Sequence, residues 1–173
     1  MDASGAPIPQ PTYENRFVED LASARTVATM RIERLVDQAQ QIAERYNGQM
    51  IEEHNQRFSR DNPNWNRLFP TVKVAQSNRC YIYWNRWTGY RKLSGPNKQR
   101  TGTHIRSGSR RGGYKASTLA RYAQDWELPI AQATEREFDG IRRQLFTLYG
   151  LIDSIDAAAS DFRSFEGHEE RDA

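Results

Sequence analysis

The sequence of 173 residues contains 25 Lys and Arg against 22 Asp and Glu, and its hydrophobic fraction of 37% is enough for one domain with a modest core. A mean hydropathy of −0.89 and the lack of any run of 18 apolar residues argue against a membrane-spanning protein. The single cysteine, Cys80, excludes an internal disulfide and a cysteine zinc site. Because the N-terminus shows no leader pattern, we expect a cytoplasmic protein.

The N-terminal part of the sequence predicts a disordered tail and then one long helix. Residues 1–12 are rich in proline, which opposes regular structure. From Tyr13 onwards, apolar or small residues recur at steps of three and four, which places them on one face of an amphipathic helix. These residues are Phe17, Leu21, Ala24, Ala28, Ile32, Leu35, Ala39, Ile42 and Tyr46. The helix can continue to Phe58, although Asn47–Gly48 can kink it, and Pro63 must end it.

The middle of the chain predicts β structure. Residues 71–75 and 80–87 are rich in β-branched and aromatic side chains, and the polar turn QSNR separates them, which is typical of a β-hairpin. Thr88–Gly89 predicts a further turn. The hairpin insert is therefore expected to span residues 71–92.

Residues 93–113 predict a long, mobile basic loop, because several glycines interrupt a run of Lys, Arg and Ser. Loops of this length in small domains are usually functional or disordered. Within this segment, Thr103 to Arg106 can add a third, shorter strand to the hairpin.

Helical patterns return after the loop. A helix is expected to begin after Lys115 with Ser117 or Thr118 as its cap, and Pro129 breaks or restarts it. Beyond Pro129 the apolar residues again recur at steps of three and four, close to a heptad pattern. They are Ala131, Thr134, Phe138, Ile141, Leu145, Leu148, Ile152, Ile155, Ala159 and Phe162. Residues 166–173 predict an acidic tail.

These elements together predict an α+β fold that is mostly α. We expect two long antiparallel amphipathic helices with a β-hairpin or small meander and the basic loop between them. They would form a single helical-hairpin domain over residues 13–165. Spare helical faces leave room for a homodimer.

Positive charge is concentrated in the middle of the chain. Residues 62–124 contain 13 Lys and Arg and no acidic residue, whereas the rest of the chain carries 12 basic and all 22 acidic residues. Like charges at this density repel one another unless a polyanion screens them, so the pattern indicates a negatively charged partner. Double-stranded DNA is the preferred ligand, because a two-stranded ribbon fits its major groove and arginines neutralise its phosphates.

Aromatic side chains are interleaved with the basic ones. In an alternating strand, Ile82 and Trp84 share one face and Tyr81 and Tyr83 the other, so we expect Trp84 to pack in the core. Rings that stay outside can stack on bases. The residues predicted to contact DNA are Arg79, Arg86, Trp87, Tyr90, Arg91, Lys92, Lys98, Arg100, His104, Arg106, Arg110, Arg111, Tyr114, Lys115 and Arg121.

The sequence contains no recognisable catalytic pattern. His54, His104 and His168 lie far apart without metal-ligand spacing, and each is expected on the surface or in a loop. Asp61, Asp125 and Glu127 flank the basic segment, where a capping or solvent-exposed role is expected. We therefore expect a binding protein without catalysis, metal or cofactor.

Several short motifs between residues 80 and 148 occur together: the aromatic strand YIYW, the basic HIR loop, YKAS at the start of a helix, WEL from Trp126 to Leu128, and EREFDGIRR from Glu135 to Arg143. In these motifs the sequence resembles the MobI family of conjugative transfer proteins. The resemblance implies an auxiliary mobilisation factor of a bacterial conjugative plasmid or integrative element, which binds specific DNA at the origin of transfer. It further implies a separate relaxase as the protein partner, which supplies the nicking residues.

Two other functions stay open at this point. The chain can be a coiled-coil adaptor or interaction protein whose basic loop contacts an acidic protein partner. It can also bind structured RNA, which presents the same charge to arginine side chains.

Overall fold

The structure is a computed structural model that describes residues 13–58, 67–92, 98–107 and 113–169. Its helices and strands, in chain order, are α1 (Tyr13–Arg57), β1 (Leu68–Val74), β2 (Cys80–Lys92), β3 (Lys98–His104), α2 (Ala116–Ala120) and α3 (Leu128–Glu169). The predicted α+β fold with mostly α structure is confirmed. The predicted tail over residues 1–12 lies outside the described residues, and residues 166–169 belong to α3 rather than to a tail.

The two long helices bury most of the apolar stripes that the sequence predicts. In α1 the stripe from Ala28 to Met50 is buried, whereas Phe17 and Leu21 are half-buried and Ala24 is exposed. The helix continues through Asn47–Gly48, where the stripe does not end: Met50 and His54 extend it, with exposures of 1% and 0%. His54 is thus a core residue, and the prediction of a surface position for it is wrong.

The chain divides into two compact units, residues 1–32 with 148–173 and residues 33–147. In the first unit, the Phe17 and Phe162 rings lie 5.4 Å apart and Arg25 forms a 2.8 Å ion pair with Asp156. The order of these contacts shows that α1 and α3 run antiparallel within this unit.

The second unit contains a three-stranded antiparallel sheet with the order β1-β2-β3. In β1 and β2, Val72 pairs with Ile82 and Phe69 with Asn85, and Asn85 pairs in turn with His104 of β3. The sheet is therefore the small meander that the sequence left as one of two alternatives.

Two sequence predictions about the sheet are wrong. Thr88–Gly89 is not a turn, because β2 continues through these residues to Lys92. The pairing of β2 with β3 shifts in register between Trp87 and Gly89. Residues 98–104 are not loop but strand β3, since the extended second half of β2 offers them a pairing edge. The third strand expected at Thr103 to Arg106 therefore exists, but it begins earlier and shares only Thr103 and His104 with the expected range. Residues 93–97 and 108–112 of the predicted loop lie outside the described residues.

The inner face of the sheet packs on the helical parts of the same unit. Trp84 is fully buried, with its ring 5.0 Å from Tyr46 of α1 and 6.1 Å from Phe138 of α3, both edge-on. Ile82 shares this face and is 5% exposed, whereas Tyr81 on the other face is 52% exposed. The predicted alternation and the core position of Trp84 are confirmed.

Helices α2 and α3 begin in different ways. Helix α2 has Lys115 at its N-cap position without a side-chain hydrogen bond, so the expected capping by Ser117 or Thr118 is not observed. Pro129 is the second residue of α3, in the first turn, where a missing N–H costs no helical hydrogen bond.

In the part of the chain that the structure describes, no helix combines the length and hydropathy needed to cross a membrane.

Candidate nucleic-acid interface

A buried ion pair on α3 binds the sheet and the chain that leads to α2. Glu135 and Arg142 lie two helical turns apart and form two hydrogen bonds of 2.8 and 3.0 Å. The Glu135 carboxylate also accepts hydrogen bonds from the Trp84 indole N–H and the Tyr114 backbone N–H, both at 2.8 Å. Arg142 donates to the carbonyl of Ile82 at 3.0 Å. One charged pair therefore fixes β2 and residue 114 relative to the helix.

Tyr114 connects this pair to the end of β3. Its hydroxyl donates to the carbonyl of Ile105 at 2.9 Å and accepts a longer hydrogen bond of 3.3 Å from the backbone N–H of Trp84. Burial raises the pKa of the Tyr114 phenol, so it stays a hydrogen-bond donor at neutral pH. The ring is 8% exposed, with the Arg142 guanidinium 5.4 Å from its centre. Tyr114 was predicted to contact DNA, but its side chain lies in the core and positions Ile105 instead.

A second buried carboxylate, Glu127, lies just before α3 and is fully buried. It accepts hydrogen bonds from the backbone N–H groups of Leu68, Arg67 and Gln124 at 2.8, 3.0 and 3.2 Å. The Tyr46 hydroxyl donates a fourth at 2.9 Å. Burial raises the pKa of Glu127, and the hydrogen bonds partly offset that rise. The expected capping or solvent-exposed role is wrong for Glu127, because its carboxylate is buried and fixes the start of β1. Asp125 is exposed, as expected, and Asp61 lies outside the described residues. Spacing in the sequence does not reveal the role of Glu127.

Between the ends of β2 and β3 and helix α2 lies a cavity of about 470 Å³, which we call the arginine groove. Its lining includes three arginines, two threonines, a tyrosine, a histidine and an isoleucine. These residues are Arg86, Thr103, His104, Ile105, Arg106, Thr118, Arg121 and Tyr122. No acidic side chain is among the residues that line it, so the groove has a positive potential.

The arginines of the groove are held apart from the carboxylates of the helices. Arg86, Arg106 and Arg121 are exposed, and the Arg86 guanidinium lies 5.2 Å from the centre of the Tyr122 ring. Ion pairs between described residues include those of Arg25, Arg45, Arg57, Arg142 and Arg143, all of which lie outside residues 62–124. Within the described part of the chain, the groove therefore keeps its charge available for an external anion.

The outer face of the sheet is rich in rings, and we call it the aromatic face. Strand register brings together six of its residues, Phe69, Lys73, Tyr81, Tyr83, Trp87 and His104. Phe69 stacks on Trp87 with ring centres 3.9 Å apart, and Tyr83 meets His104 edge-on at 4.8 Å. Gly102 of β3 lies beneath the first pair, where any added Cβ would collide with the Phe69 ring.

Apart from the buried Tyr114, the predicted DNA-contacting residues fall into three groups. Arg86, His104, Arg106 and Arg121 come together at the arginine groove. Arg79 in the β1-β2 turn and Lys115 before α2 are exposed but do not line it, and Trp87 is half-buried on the aromatic face. The side chains of Tyr90, Arg91, Lys92, Lys98 and Arg100 lie outside the described part, although their backbones form β2 and β3, and Arg110 and Arg111 lie outside it entirely.

Sequence reasoning missed several members of both surfaces, and all of them except Lys73 are neutral. Thr103, Thr118 and Tyr122 line the groove, while Phe69 and Lys73 complete the aromatic face. Charge counting selects only arginine and lysine, so it passes over hydroxyl and ring partners. The register of β1 against β2 is the signal that identifies Phe69, because it places this residue opposite Asn85 and beside Trp87.

A known protein family matches this chain. The family described as MobI protein matches residues 35–156, which is more than half of the chain. The chain belongs to the MobI family. The matched residues cover the sheet, the arginine groove and the two buried carboxylates of this MobI-family chain. Membership indicates an accessory role in conjugative mobilisation.

Neither the curated proteins nor the solved structures contain a significant match to this MobI-family chain. The recognised family also covers more of the chain than the motifs between residues 80 and 148 suggested, since it begins within α1. Among the described residues, no three His, Cys, Asp or Glu side chains gather as a metal site would need.

Proposed function

We propose that this MobI-family chain binds double-stranded DNA at the origin of transfer and assists assembly of the relaxase, without catalysing a reaction itself. The observation that carries the proposal is the arginine groove. Three exposed guanidinium groups line one cavity of about 470 Å³ and no carboxylate is among its lining residues. Family membership supports the conjugative context.

The composition of the groove suits a phosphate backbone. Guanidinium groups bind phosphate oxygens with two parallel N–H donors, and Thr103 and Thr118 supply hydroxyl donors in the same cavity. The Arg86 guanidinium also lies over the Tyr122 ring, with 5.2 Å between its central carbon and the ring centre, and its side chain stays exposed. Phosphate contacts position a protein on DNA, so base readout is assigned to other side chains near the groove.

The buried carboxylates support this function indirectly. Glu135 fixes residue 114, and the Tyr114 hydroxyl fixes Ile105, which directly precedes Arg106. The Arg86 backbone is fixed in the same way, because it belongs to the strand that Glu135 binds through Trp84. Two of the three arginines therefore extend from a backbone that is ordered before any ligand arrives, which lowers the entropic cost of binding.

A fluorescence-anisotropy titration tests the DNA proposal. The wild type is compared with Arg106→Ala/Arg121→Ala on a labelled duplex that carries the transfer-origin sequence of the host element. Loss of two phosphate contacts should weaken binding at least tenfold at about 100 mM salt and flatten the slope of log K against log salt by roughly 2. Arg34→Ala/Arg136→Ala removes the same charge from exposed helical positions outside the groove and should change affinity less than threefold.

Three results would overturn parts of the proposal. Equal weakening by both double variants would mean that net charge, rather than the groove, binds DNA. Equal affinity for a scrambled duplex would remove specificity for the origin. A stable complex with an acidic protein but no duplex binding, measured by light scattering, would favour the adaptor function.

The relaxase part of the proposal needs its own measurement. Purified relaxase of the same element is assayed for nicking of supercoiled origin DNA with and without this chain. We expect more nicked product with the wild type than with Arg106→Ala/Arg121→Ala, and no nicking by the chain alone. Nicking by the chain in the absence of relaxase would contradict a non-catalytic role.

A further inference from the structure

We propose that the aromatic face is a second site, which binds unpaired DNA bases by stacking while the arginine groove holds the adjoining phosphates. This inference relies on the proposed function only for the identity of the polymer, which is DNA. It adds a ligand, single-stranded DNA, that duplex binding does not require.

The strand register places the rings of this face in a continuous layer. Lys73 pairs with Tyr81, Thr71 with Tyr83, and Asn85 lies between Phe69 and His104. Directly paired residues of an antiparallel sheet point to the same side, so these side chains share the face opposite Trp84. The Asn85 amide donates to the Thr71 hydroxyl at 2.7 Å, which satisfies the polar groups between the two ring pairs.

The rings are both fixed and accessible, as a stacking surface needs. The Phe69–Trp87 stack, at 3.9 Å and 21°, and the Tyr83–His104 contact limit ring rotation before a ligand arrives. Tyr81 is 52% exposed, and Lys73 and His104 are exposed as well. A cavity of about 360 Å³ opens between Lys73, Tyr81, Tyr83 and His104. Its size is within the range of small-ligand pockets, and its lining of rings with one ammonium group suits a planar base linked to phosphate.

His104 is common to the two surfaces, because it lines both this cavity and the arginine groove. A strand whose phosphates lie in the groove can thus pass the end of β3 and turn its bases onto the aromatic face. Paired bases are already stacked inside a duplex and cannot reach the rings. The face therefore distinguishes unpaired from paired DNA, whereas the groove does not.

The test uses the full chain and two labelled strands of about 12 nucleotides, a length within the site sizes of single-strand-binding folds, with equal phosphate number. One strand has normal bases and the other has abasic sites in the central positions. Each base that stacks on an aromatic side chain strengthens single-strand binding by about tenfold. Because several bases are missing from the abasic strand, the wild type should bind the normal strand at least about tenfold more tightly. Tyr81→Ala should abolish most of this difference, and Tyr81→Phe should retain it. Val74→Ala, at a 49% exposed position on the opposite side of the sheet, should leave it unchanged.

The outcomes separate this proposal from the duplex proposal. Equal affinity of the wild type for the normal and abasic strands would overturn the base site, even if duplex binding is intact. A Tyr81→Ala effect of equal size on duplex and single strand, or no effect on either, would also overturn it. Tighter binding of the matching ribonucleotide strand would assign the face to RNA instead. A base-dependent single-strand affinity with no duplex affinity would retain this inference and refute the duplex function.

Discussion

Cys80 illustrates how burial controls a reactive side chain. It is the first residue of β2 and 8% exposed, and burial raises the pKa of its thiol from 9.0 to about 11. At pH 8 this shift leaves roughly a hundredfold less thiolate than an exposed cysteine would have. We expect slow labelling of the native chain by an aromatic disulfide reagent and fast labelling in denaturant, followed by absorbance. Comparable rates in both conditions would show that the thiol is accessible.

Two adjacent residues of α3 allow the effect of a core substitution on stability to be compared with that of a surface substitution. Leu145 is 3% exposed and Phe146 is 61% exposed, although both are large apolar residues. Leu145→Ala should reduce the free energy of unfolding by about 2–4 kcal/mol because it creates a cavity. Phe146→Ala should change it by less than about 0.5 kcal/mol. Urea unfolding followed by circular dichroism measures both, and duplex affinity should stay at the wild-type level in each.

At the scale of the secondary-structure elements, α3 binds the sheet through charge as well as through apolar packing. The side chains of Arg142 and Glu135 are 7% and 8% exposed, so their pairing is little screened by solvent. Glu135 and Glu127 each bind backbone N–H groups of other segments and one aromatic side chain. The sheet and the chain before α2 therefore depend on two carboxylates near the start of one helix.

The ion pair gives a prediction about removing one partner. Arg142→Met leaves the Glu135 charge buried without compensation and should cost about 3–5 kcal/mol of unfolding free energy. Glu135→Gln/Arg142→Met removes both charges and should recover part of that loss. Recovery should stay incomplete, because a side-chain amide at position 135 offers one acceptor oxygen where Trp84 and Tyr114 use two. Denaturant unfolding of the three proteins tests this, and a single variant as stable as the wild type would refute it.

At the scale of the whole molecule, local patterns in the sequence predicted the long helices well. Steps of three and four located the buried stripes of α1 and α3, and alternation placed Trp84 inside and Tyr81 outside. Long-range pairing was harder. The strand over residues 98–104 has few apolar residues and forms because β2 extends beside it. The local sequence of these residues does not show that pairing.

The candidate sites were predictable to different degrees. Charge segregation identified the arginines of the groove, because a long segment without acidic residues can be recognised from the sequence alone. It misassigned Tyr114, since a tyrosine among arginines has the same local pattern whether its hydroxyl binds a ligand or the Ile105 carbonyl. The homodimer and the single domain over residues 13–165 stay predictions, and sedimentation equilibrium at several concentrations tests the first.

The Glu127 contacts have a consequence for sequence divergence. Three of the four groups that donate to this carboxylate are main-chain amides, at residues 67, 68 and 124. Any amino acid other than proline supplies such an amide, so mutations at two of these positions, Arg67 and Gln124, can alter the surface without removing the hydrogen bond. Related proteins can in this way change the side chains at these two positions while the framework beneath stays intact, and variants that exchange only these side chains should fold.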